Sequence, residues 1–599
     1  MANASTRSVH DAANTSAPFR RDWTKWAGPA ALAVLFVALT VWSWRRWGDI
    51  AIDYGQQLYV AWQILEGKDL YRDIAWPYGP LSSYVNALLF RLFGVSYTTL
   101  VLCNLALLAV VCALVYRLLD RLCDRLAATL AVLALLTVFG FAHFVILGNY
   151  NFIAPYTHEA THGTLICLVL LACVVRRNET RSSRAAIAIG TCVGLSLWTK
   201  PEIVLAAFTT ASWGIGLLWW IERPALRQML RELRPIAAGA ALAAAAIYAL
   251  LAARTSAAEA LVSLGRPWLP LLESDIVATH YFASGLGIDL PWANLAGMAI
   301  ASLALASGLT GLAAVDARLS LGARSVGWRQ GLTAVVVFGA LITAFPTGPW
   351  ETFGKALPVL TLAAFCVFTR AALRARDPRE VRRFVALSAW GAFALAFLAK
   401  MVLNARLRHY GFFLAMPATT LLIATLAWWV PEALRRNWGR GSLFRAAVVA
   451  TVVAAAVAHV AASHRLYARK DFAFGRGSDV ILAPSGRSGG IGPQMQQGLL
   501  RIEEWIEPGE SFLALPYGIM LNYQSRRPSP SRYLRWTGLE FVIYGEENMI
   551  ATLEEDPPEW ILLVHSASQA EFGLGPFGRD PLNGRQLLAW IRAHYSAVD

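Results

Sequence analysis

Charged residues are scarce in this chain. Asp, Glu, Lys and Arg supply only 15% of the 599 residues, whereas 56% of the residues are hydrophobic. A soluble protein of this length needs a larger charged surface, so the composition excludes that class. Apolar runs long enough to cross a bilayer predict an all-α polytopic membrane bundle of about thirteen spanning helices. These runs lie near residues 27–44, 98–118, 126–143, 162–175, 185–199, 203–221, 235–253, 292–314, 329–346, 356–373, 384–403, 411–430 and 445–462.

Cysteine is also scarce. The seven cysteines lie between Cys103 and Cys366, and residues 463–599 contain none. This excludes a disulfide framework in the C-terminal part of the chain. A small-residue cleavage site is likewise missing after the apolar run Ala27–Trp44. We therefore expect this run to be a retained first span and not a cleaved signal peptide.

Acidic residues are too few to balance the basic ones, and the formal net charge is +14. This excess does not predict nucleic-acid binding, because most Lys and Arg residues fall in alternate short loops between the apolar runs. By the positive-inside rule, the N-terminus is expected in the cytoplasm and the C-terminus outside it. The composition, rich in alanine and arginine, is typical of a high-GC bacterial genome. We therefore expect a multi-pass protein of the bacterial cytoplasmic membrane, surrounded by membrane lipids.

The chain divides by composition into three regions. Residues 1–26 are polar and predict a disordered cytoplasmic tail, and residues 27–462 form the membrane domain. Residues 463–599 have an ordinary soluble composition and predict a small extracytoplasmic α/β domain. Its expected elements are helices at Pro493–Glu507 and Leu587–His594 and strands at Ser511–Leu515 and Trp560–His565.

The first outer loop, residues 45–97, places two acids, Asp53 and Asp73, near the membrane surface. Periodicity predicts two amphipathic surface helices. They either only pack on the bundle or frame a groove that holds both acids. Their apolar faces contain Tyr54, Leu58, Ala61, Trp62 and Leu65 in the first helix, and Leu81, Tyr84, Val85, Leu88 and Leu92 in the second. A carboxylate so close to lipid needs a partner or a function. Asp53 is therefore either a functional group or one member of an ion pair, with Arg45, Arg46 or Arg72 as its partner.

Basic side chains are uncommon on the expected outer side, and two groups of them stand out. Lys200 ends a predicted span just before Pro201, where it either extends to the membrane interface or binds a lipid phosphate. The second group lies between two later spans, in the sequence NARLRHYG. It consists of Arg406, Arg408, His409 and Tyr410.

A third polar feature is the sequence HEATH, at His158, Glu159 and His162. This HExxH spacing puts two histidines on one helical face with a general base between them, as in zinc proteases. No third-ligand motif accompanies it, so a polar loop at the top of a helix is the favoured interpretation. The remaining alternatives are a membrane metallopeptidase and a role for His158 or Glu159 in substrate binding.

In their order along the chain, these segments resemble the GT-C membrane glycosyltransferases, and among them the bacterial protein mannosyltransferase and aminoarabinose transferase branch. The loop GKDLYRDIAWPYGPLSSYVNALLFRLFG, which starts at Gly67, resembles a recurring bacterial version of the first outer loop. SLWTKPE resembles a span that ends in Thr–Lys, and RHYGFFLAMP resembles a late Arg–Tyr–apolar–Pro segment. The resemblance covers most of the chain in topology but only these segments in motif.

The resemblance implies a GT-C-like fold and inverting transfer of a sugar from a polyprenyl-phosphate donor to an extracytoplasmic lipid, glycan or protein. Asp53 would be the general base, and Asp73 would orient the acceptor or hold a divalent metal ion. Lys200, with Arg406 or Arg408, would bind the donor phosphate. No obligatory cofactor is implied. Further expected substrate-binding residues are His409, Tyr410, His158, Glu159 and Tyr78.

Two positions depart from the family pattern. The best-known members have Asp–Glu after the first span, where this chain has Asp53–Tyr54. In the aminoarabinose enzymes Glu–Lys precedes the proline of the second surface helix, where this chain has Tyr78–Gly79 before Pro80. This difference argues against an aminoarabinose donor.

Two alternatives of another class stay open, namely a multi-span transporter of an envelope lipid or glycan and a scaffold protein. A transporter needs polar groups along a path through the membrane. Here few acids or amides lie within the apolar runs, and no inverted repeat of broken helices is found.

Overall fold

The structure is a computed structural model that describes residues 24–145, 151–268, 274–319, 326–344, 353–438, 441–486, 490–564 and 573–598. The predicted cytoplasmic tail therefore lies almost entirely outside the described residues, and so does His565 at the end of one predicted strand.

Helices dominate the first three quarters of the chain. They are α1 (Thr24–Trp42), α2 (Tyr54–Leu65), α3 (Leu81–Phe93), α4 (Tyr97–Leu122), α5 (Arg125–Ala134), α6 (His158–Thr180), α7 (Ser183–Ser196), α8 (Pro201–Glu222), α9 (Leu226–Arg254), α10 (Ala257–Gly265), α11 (Ser274–Ala278), α12 (His280–Leu286), α13 (Pro291–Leu319), α14 (Val326–Ala344), α15 (Leu357–Arg374), α16 (Pro378–Leu398), α17 (Met416–Ala424), α18 (Val430–Trp438) and α19 (Ser442–Tyr467).

Among the described residues, nine helical segments are long and apolar enough to cross a membrane. The other four predicted spans coincide with apolar helices of 10–17 residues. These shorter helices are Trp26–Trp42, Arg125–Gly140, Ser183–Ser196 and Trp328–Ala344. The mostly helical membrane bundle is thus confirmed, and the number of thirteen spans stays a prediction.

Polar residues between the apolar runs fix where several helices begin. The Ser96 hydroxyl accepts a hydrogen bond from the Thr99 amide at 3.0 Å, and the Asp124 carboxylate accepts one from the Ala127 amide at 2.9 Å. Such N-caps satisfy amides that a helix leaves unpaired in its first turn. The apolar stretch on either side of Asp124 is therefore divided into two helices, α4 and α5.

The C-terminal segment, residues 468–598 as described, contains two small sheets and five helices. Strands β1 (Lys470–Phe474) and β2 (Ile481–Pro484) pair antiparallel, and β3 (Phe512–Leu515) and β4 (Trp560–Leu563) pair parallel with Phe512 opposite Trp560. The helices are α20 (Ile491–Trp505), α21 (Ile519–Ser525), α22 (Gly538–Tyr544), α23 (Glu546–Glu555) and α24 (Arg585–His594). The predicted helices and strands of this segment are confirmed within a few residues.

Both helices predicted in the first outer loop are present, but α2 differs from the expected surface helix. Its residues from Tyr54 to Ile64 are all buried, on both faces. The reason is that α21 covers the face expected to be exposed. A Cβ atom at Gly55 would lie 2.7 Å from the backbone nitrogen of Met520, so the two helices touch along their backbones. The prediction of a half-exposed α2 is therefore wrong.

The main hydrophobic core continues from the membrane helices into the C-terminal segment. It includes Leu58 in α2, Leu108 in α4, Phe393 in α16 and Phe512 in β3. A second, smaller core around Trp536 and Leu587 lies within the C-terminal segment itself. The C-terminal segment is thus packed directly onto the first outer loop.

Candidate active site

A cavity of about 690 Å³ lies where the first outer loop, the ends of four helices and the C-terminal segment meet. Its volume falls in the range of small-molecule sites. Leu205, Leu286 and Ile543 contribute to an apolar wall. The charged side chains that line it are Asp53, Lys200, Glu202, Lys400, Arg535 and Glu540.

Asp53 lies at the N-terminal end of α2, where a buried neighbour fixes its backbone. The Asp49 carboxylate accepts hydrogen bonds from the amides of Ala51 at 2.8 Å, Ile52 at 3.0 Å and Asp53 at 3.1 Å. Burial raises the pKa of Asp49, although these hydrogen bonds oppose the rise. Lys470 of β1 supports the same loop by donating to the carbonyls of residues 46 and 48.

An ion-pair partner of Asp53 comes from the C-terminal segment. A guanidinium nitrogen of Arg535 lies 3.4 Å from Asp53 Oδ1. Arg46 and Arg72, two of the three predicted partners, are engaged elsewhere. Arg46 donates to the carbonyls of Trp42 and Lys470, and Arg72 pairs with Asp69 and Asp73. Arg535 thus takes the place that the sequence assigned to a nearby arginine.

Asp73 does not line the cavity. Its carboxylate accepts a hydrogen bond from the Asp69 amide at 2.8 Å and pairs with Arg72 at 3.1 Å. Partial burial opposes ionisation, but these two partners hold the pKa of Asp73 below its usual range. The structure therefore does not bring the two predicted catalytic acids together in one cavity.

Lys200 is buried in the cavity wall at the start of α8. Its ammonium group lies 4.3 Å from the ring centre of Tyr78 and 5.3 Å from that of Tyr156. It also lies 3.7 Å from Glu202 Oε1, which binds Lys400 Nζ at 2.7 Å. Burial and the charge of Lys400 lower the pKa of Lys200 to about 8. Two lysines therefore converge on one carboxylate oxygen.

The turn before α3 contacts the backbone next to Lys200. The Gly79 amide donates to the Thr199 carbonyl at 2.8 Å, and the Leu81 amide donates to the Trp198 carbonyl at 3.1 Å. A Cβ atom at Gly79 would lie 2.1 Å from the Trp198 carbonyl oxygen, so only glycine fits. This close approach places the Tyr78 ring over the Lys200 ammonium group.

The second predicted basic cluster lies in a neighbouring pocket of about 520 Å³. Arg406 and Arg408 line this pocket and not the main cavity. The rings of Tyr281 and Tyr410 stack at 4.7 Å and line both spaces. His409 accepts from the Gly411 amide through Nδ1 and donates to the Gly285 carbonyl through Nε2, each at 2.8 Å. Burial lowers the pKa of His409 to about 4.

The HExxH side chains make separate hydrogen bonds to neighbouring helices and loops. His158 bonds Gln57 at 2.8 Å and Asn104 at 2.9 Å, and His162 bonds Ser82 at 2.9 Å. Glu159 accepts from Trp76 at 3.2 Å and from Thr157 at 2.6 Å. Over the described part of the chain, no group of three or more His, Cys, Asp and Glu side chains is placed to hold a metal ion. The geometry therefore favours a structural network here.

Four charged cavity residues were not singled out from the sequence. Lys200 was selected as a charged residue at the outer end of a predicted span. Lys400 lies at the end of another span and Glu202 lies two residues after Lys200, so the same criterion could have found both. Arg535 and Glu540 lie about 480 residues from Asp53 in sequence. No local signal links them to the first outer loop.

Comparison with known proteins gave matches to solved structures only, since no family model and no curated protein matches the sequence. An oligosaccharyltransferase from Archaeoglobus fulgidus in the apo form is 14% identical, with 90% of this chain and 70% of that chain covered and a TM-score of 0.46. ArnT from Cupriavidus metallidurans bound to undecaprenyl phosphate is 14% identical, with 89% of this chain and 90% of that chain covered and a TM-score of 0.41. Both are GT-C fold glycosyltransferases, the class that the sequence resembles. Both TM-scores lie below 0.5, so neither match supports a statement about the function of this chain.

Proposed function

We propose that the protein is an integral-membrane glycosyltransferase that moves a sugar from a polyprenyl-phosphate donor to an extracytoplasmic acceptor. One observation carries this proposal. A single cavity combines a carboxylate at Asp53, two lysines at Lys200 and Lys400, and an apolar wall. A general base, a phosphate-binding group and a surface for an isoprenoid chain are the three things that such a reaction needs.

In the proposed reaction the acceptor hydroxyl attacks the anomeric carbon of the donor sugar, and Asp53 takes the hydroxyl proton. The bond between the anomeric carbon and the phosphate oxygen breaks, and the phosphate leaves with the electron pair. Lys200 stabilises the charge that develops on the leaving phosphate. A single displacement of this kind inverts the anomeric centre.

Four of the remaining predicted residues take supporting roles in this proposal. Tyr78 and Tyr410 contact substrate from the cavity wall, and Arg406 and Arg408 contact a polar part of the donor or acceptor in the neighbouring pocket. The chemistry assigned to Asp53 needs no metal ion. The acceptor is a lipid, a glycan or a protein. We place the site at the outer face of the bacterial cytoplasmic membrane, with residues 463–599 outside the cytoplasm.

The test is transfer of radiolabelled sugar from a panel of polyprenyl-phosphate sugars in membranes that contain the protein. We expect the wild type to transfer at least one sugar and Asp53→Asn to transfer none above background. Asp120→Asn serves as the matched control, because Asp120 is 40% exposed at the far end of α4. Comparable transfer by Asp53→Asn and the control would contradict the proposal.

A further inference from the structure

The loop and helix around residues 535–540 bring an opposite pair of charges against Asp53. Arg535 donates to Glu540 Oε1 at 2.7 Å, and its other terminal nitrogen lies 3.4 Å from Asp53 Oδ1. Exposure of the side chains is 18% for Arg535, 19% for Asp53 and 8% for Glu540. The guanidinium group is therefore shared unequally between two carboxylates and lies closer to Glu540.

Glu540 is held in place by its own helix. Thr537 is the N-cap of α22, and Glu540 lies in the first helical turn, where the Thr537 hydroxyl donates to its carboxylate. One oxygen of Glu540 thus faces Thr537 and the other faces Arg535. A carboxylate with both oxygens engaged in this way is fixed relative to the arginine.

The unequal sharing matters for a general base. An arginine that paired with Asp53 alone would stabilise the carboxylate strongly and reduce its affinity for a proton. A general base works best when its proton affinity is not suppressed in this way. Because Glu540 takes the shorter contact, Arg535 orients Asp53 while neutralising it only in part.

We infer that Arg535 and Glu540 are a positioning pair through which the C-terminal segment sets the orientation and proton affinity of Asp53. The effect of this pair on sugar transfer rests on the proposed function, whereas its effect on the titration of Asp53 does not. The pair gives the C-terminal segment a direct role in the active site. Neither residue is assigned to contact the reacting atoms.

Other charged or titratable side chains line the same cavity as Asp53, and they stay unchanged when the pair is replaced. They are Tyr78 in the turn before α3, Tyr156 before α6, Lys200 and Glu202 at the start of α8, Tyr281 in α12, Lys400 just after α16, Tyr410, Tyr517 before α21, Tyr533, and Tyr544 in α22. The carboxylate of Asp49 also accepts from the Asp53 amide.

The experiment measures transfer rate against pH for the wild type, Glu540→Gln and Arg535→Gln. Loss of Glu540 leaves Arg535 to Asp53 alone, so we expect the acidic limb of the profile to move to lower pH by about 1 unit. Loss of Arg535 is expected to move that limb to higher pH. Glu547→Gln is the matched control, because Glu547 is exposed on α23, and we expect its profile to match the wild type. Wild-type profiles in both pair variants would overturn the inference.

A second measurement does not need activity. The difference in melting temperature between the wild type and Asp53→Asn, followed against pH, reports the titration of Asp53 in the folded protein. In the Glu540→Gln background we expect this titration to move to lower pH by about 1 unit. An unmoved titration would overturn the positioning pair even if the transferase proposal held. A moved titration without any transfer activity would support the pair and contradict the proposed function.

Discussion

At the residue scale, the central feature is a pair of lysines that share one carboxylate oxygen. Lys200 and Lys400 both approach Glu202 Oε1, so one buried and one partly buried lysine lie against a single carboxylate oxygen. Buried charge without full compensation is costly, and a second anion relieves that cost. The phosphate of a lipid-linked sugar is an anion of the right kind, since its apolar chain can follow the cavity wall.

We expect Lys200→Met to weaken binding of undecaprenyl phosphate by about tenfold or more, because a charge-assisted hydrogen bond is lost. Binding can be measured by quenching of intrinsic fluorescence or by microscale thermophoresis in detergent. Lys68→Met is the control, since Lys68 is exposed in the first outer loop. Equal affinities in Lys200→Met and wild type would remove Lys200 from the phosphate site.

The same site should respond to pH. Lys200 has its pKa lowered to about 8, so its charge is present below that pH and is lost above it. We expect affinity for undecaprenyl phosphate to fall as pH rises through about 8. Lys200→Arg, whose guanidinium stays charged, should abolish most of that fall. The charged and titratable groups that face Lys200 are Glu159, Glu202, Lys400, Tyr78 and Tyr156. A fall of the same size in Lys200→Arg would show that another group causes it.

Asp73 can be separated from Asp53 by substitution. Its carboxylate is paired with Arg72 and the Asp69 amide outside the cavity, so we expect Asp73→Asn to keep most of the transfer rate. A loss as complete as that of Asp53→Asn would return Asp73 to a catalytic role.

At the scale of elements, the turn Tyr78–Gly79–Pro80 depends on glycine at its middle position. Gly79 lies against the backbone of Trp198 and Thr199, where a Cβ atom would overlap a carbonyl oxygen. We expect Gly79→Ala to separate the turn from Lys200 and to reduce affinity for undecaprenyl phosphate. Gly216→Ala is the control, because a Cβ atom there meets nothing within 4 Å. Wild-type affinity in Gly79→Ala would contradict the close packing.

The elements show what the sequence could and could not predict. Apolar periodicity is sufficient to predict that the membrane helices, α2 and α3 exist. The reason is that contact with lipid or core requires apolar residues on one face of a helix or all around it. Periodicity does not predict that the second face of α2 is also buried. The helix that covers this face, α21, is distant in sequence and reaches it only in the folded protein. Lys200 and Asp53 were predictable because local sequence puts them next to spans. Arg535 and Glu540 were not, because only the tertiary packing brings them to Asp53.

At the scale of the whole molecule, Asp479 joins the C-terminal segment to the membrane bundle. Its carboxylate accepts from the Tyr97 amide at 2.6 Å and the Tyr523 hydroxyl at 2.9 Å, and pairs with Arg526 at 2.7 Å. We expect Asp479→Asn to cost about 1–3 kcal/mol and to lower the melting temperature in detergent. Asp556→Asn, at an exposed position, should melt as the wild type does. Equal melting temperatures for both variants would show that this junction adds little stability.

The cavity combines side chains from three parts of the chain. The first outer loop supplies Asp53, the membrane helices supply Lys200 and Lys400, and the C-terminal segment supplies Arg535. The most direct measurement is a single-turnover transfer by purified Asp53→Asn preloaded with a polyprenyl-phosphate sugar that the wild type uses. We expect binding of the donor as in the wild type and a transfer rate lower by about 10²–10⁴-fold, the usual contribution of a general base. Transfer at the wild-type rate with the donor bound would contradict the assignment of Asp53, and with it the central claim.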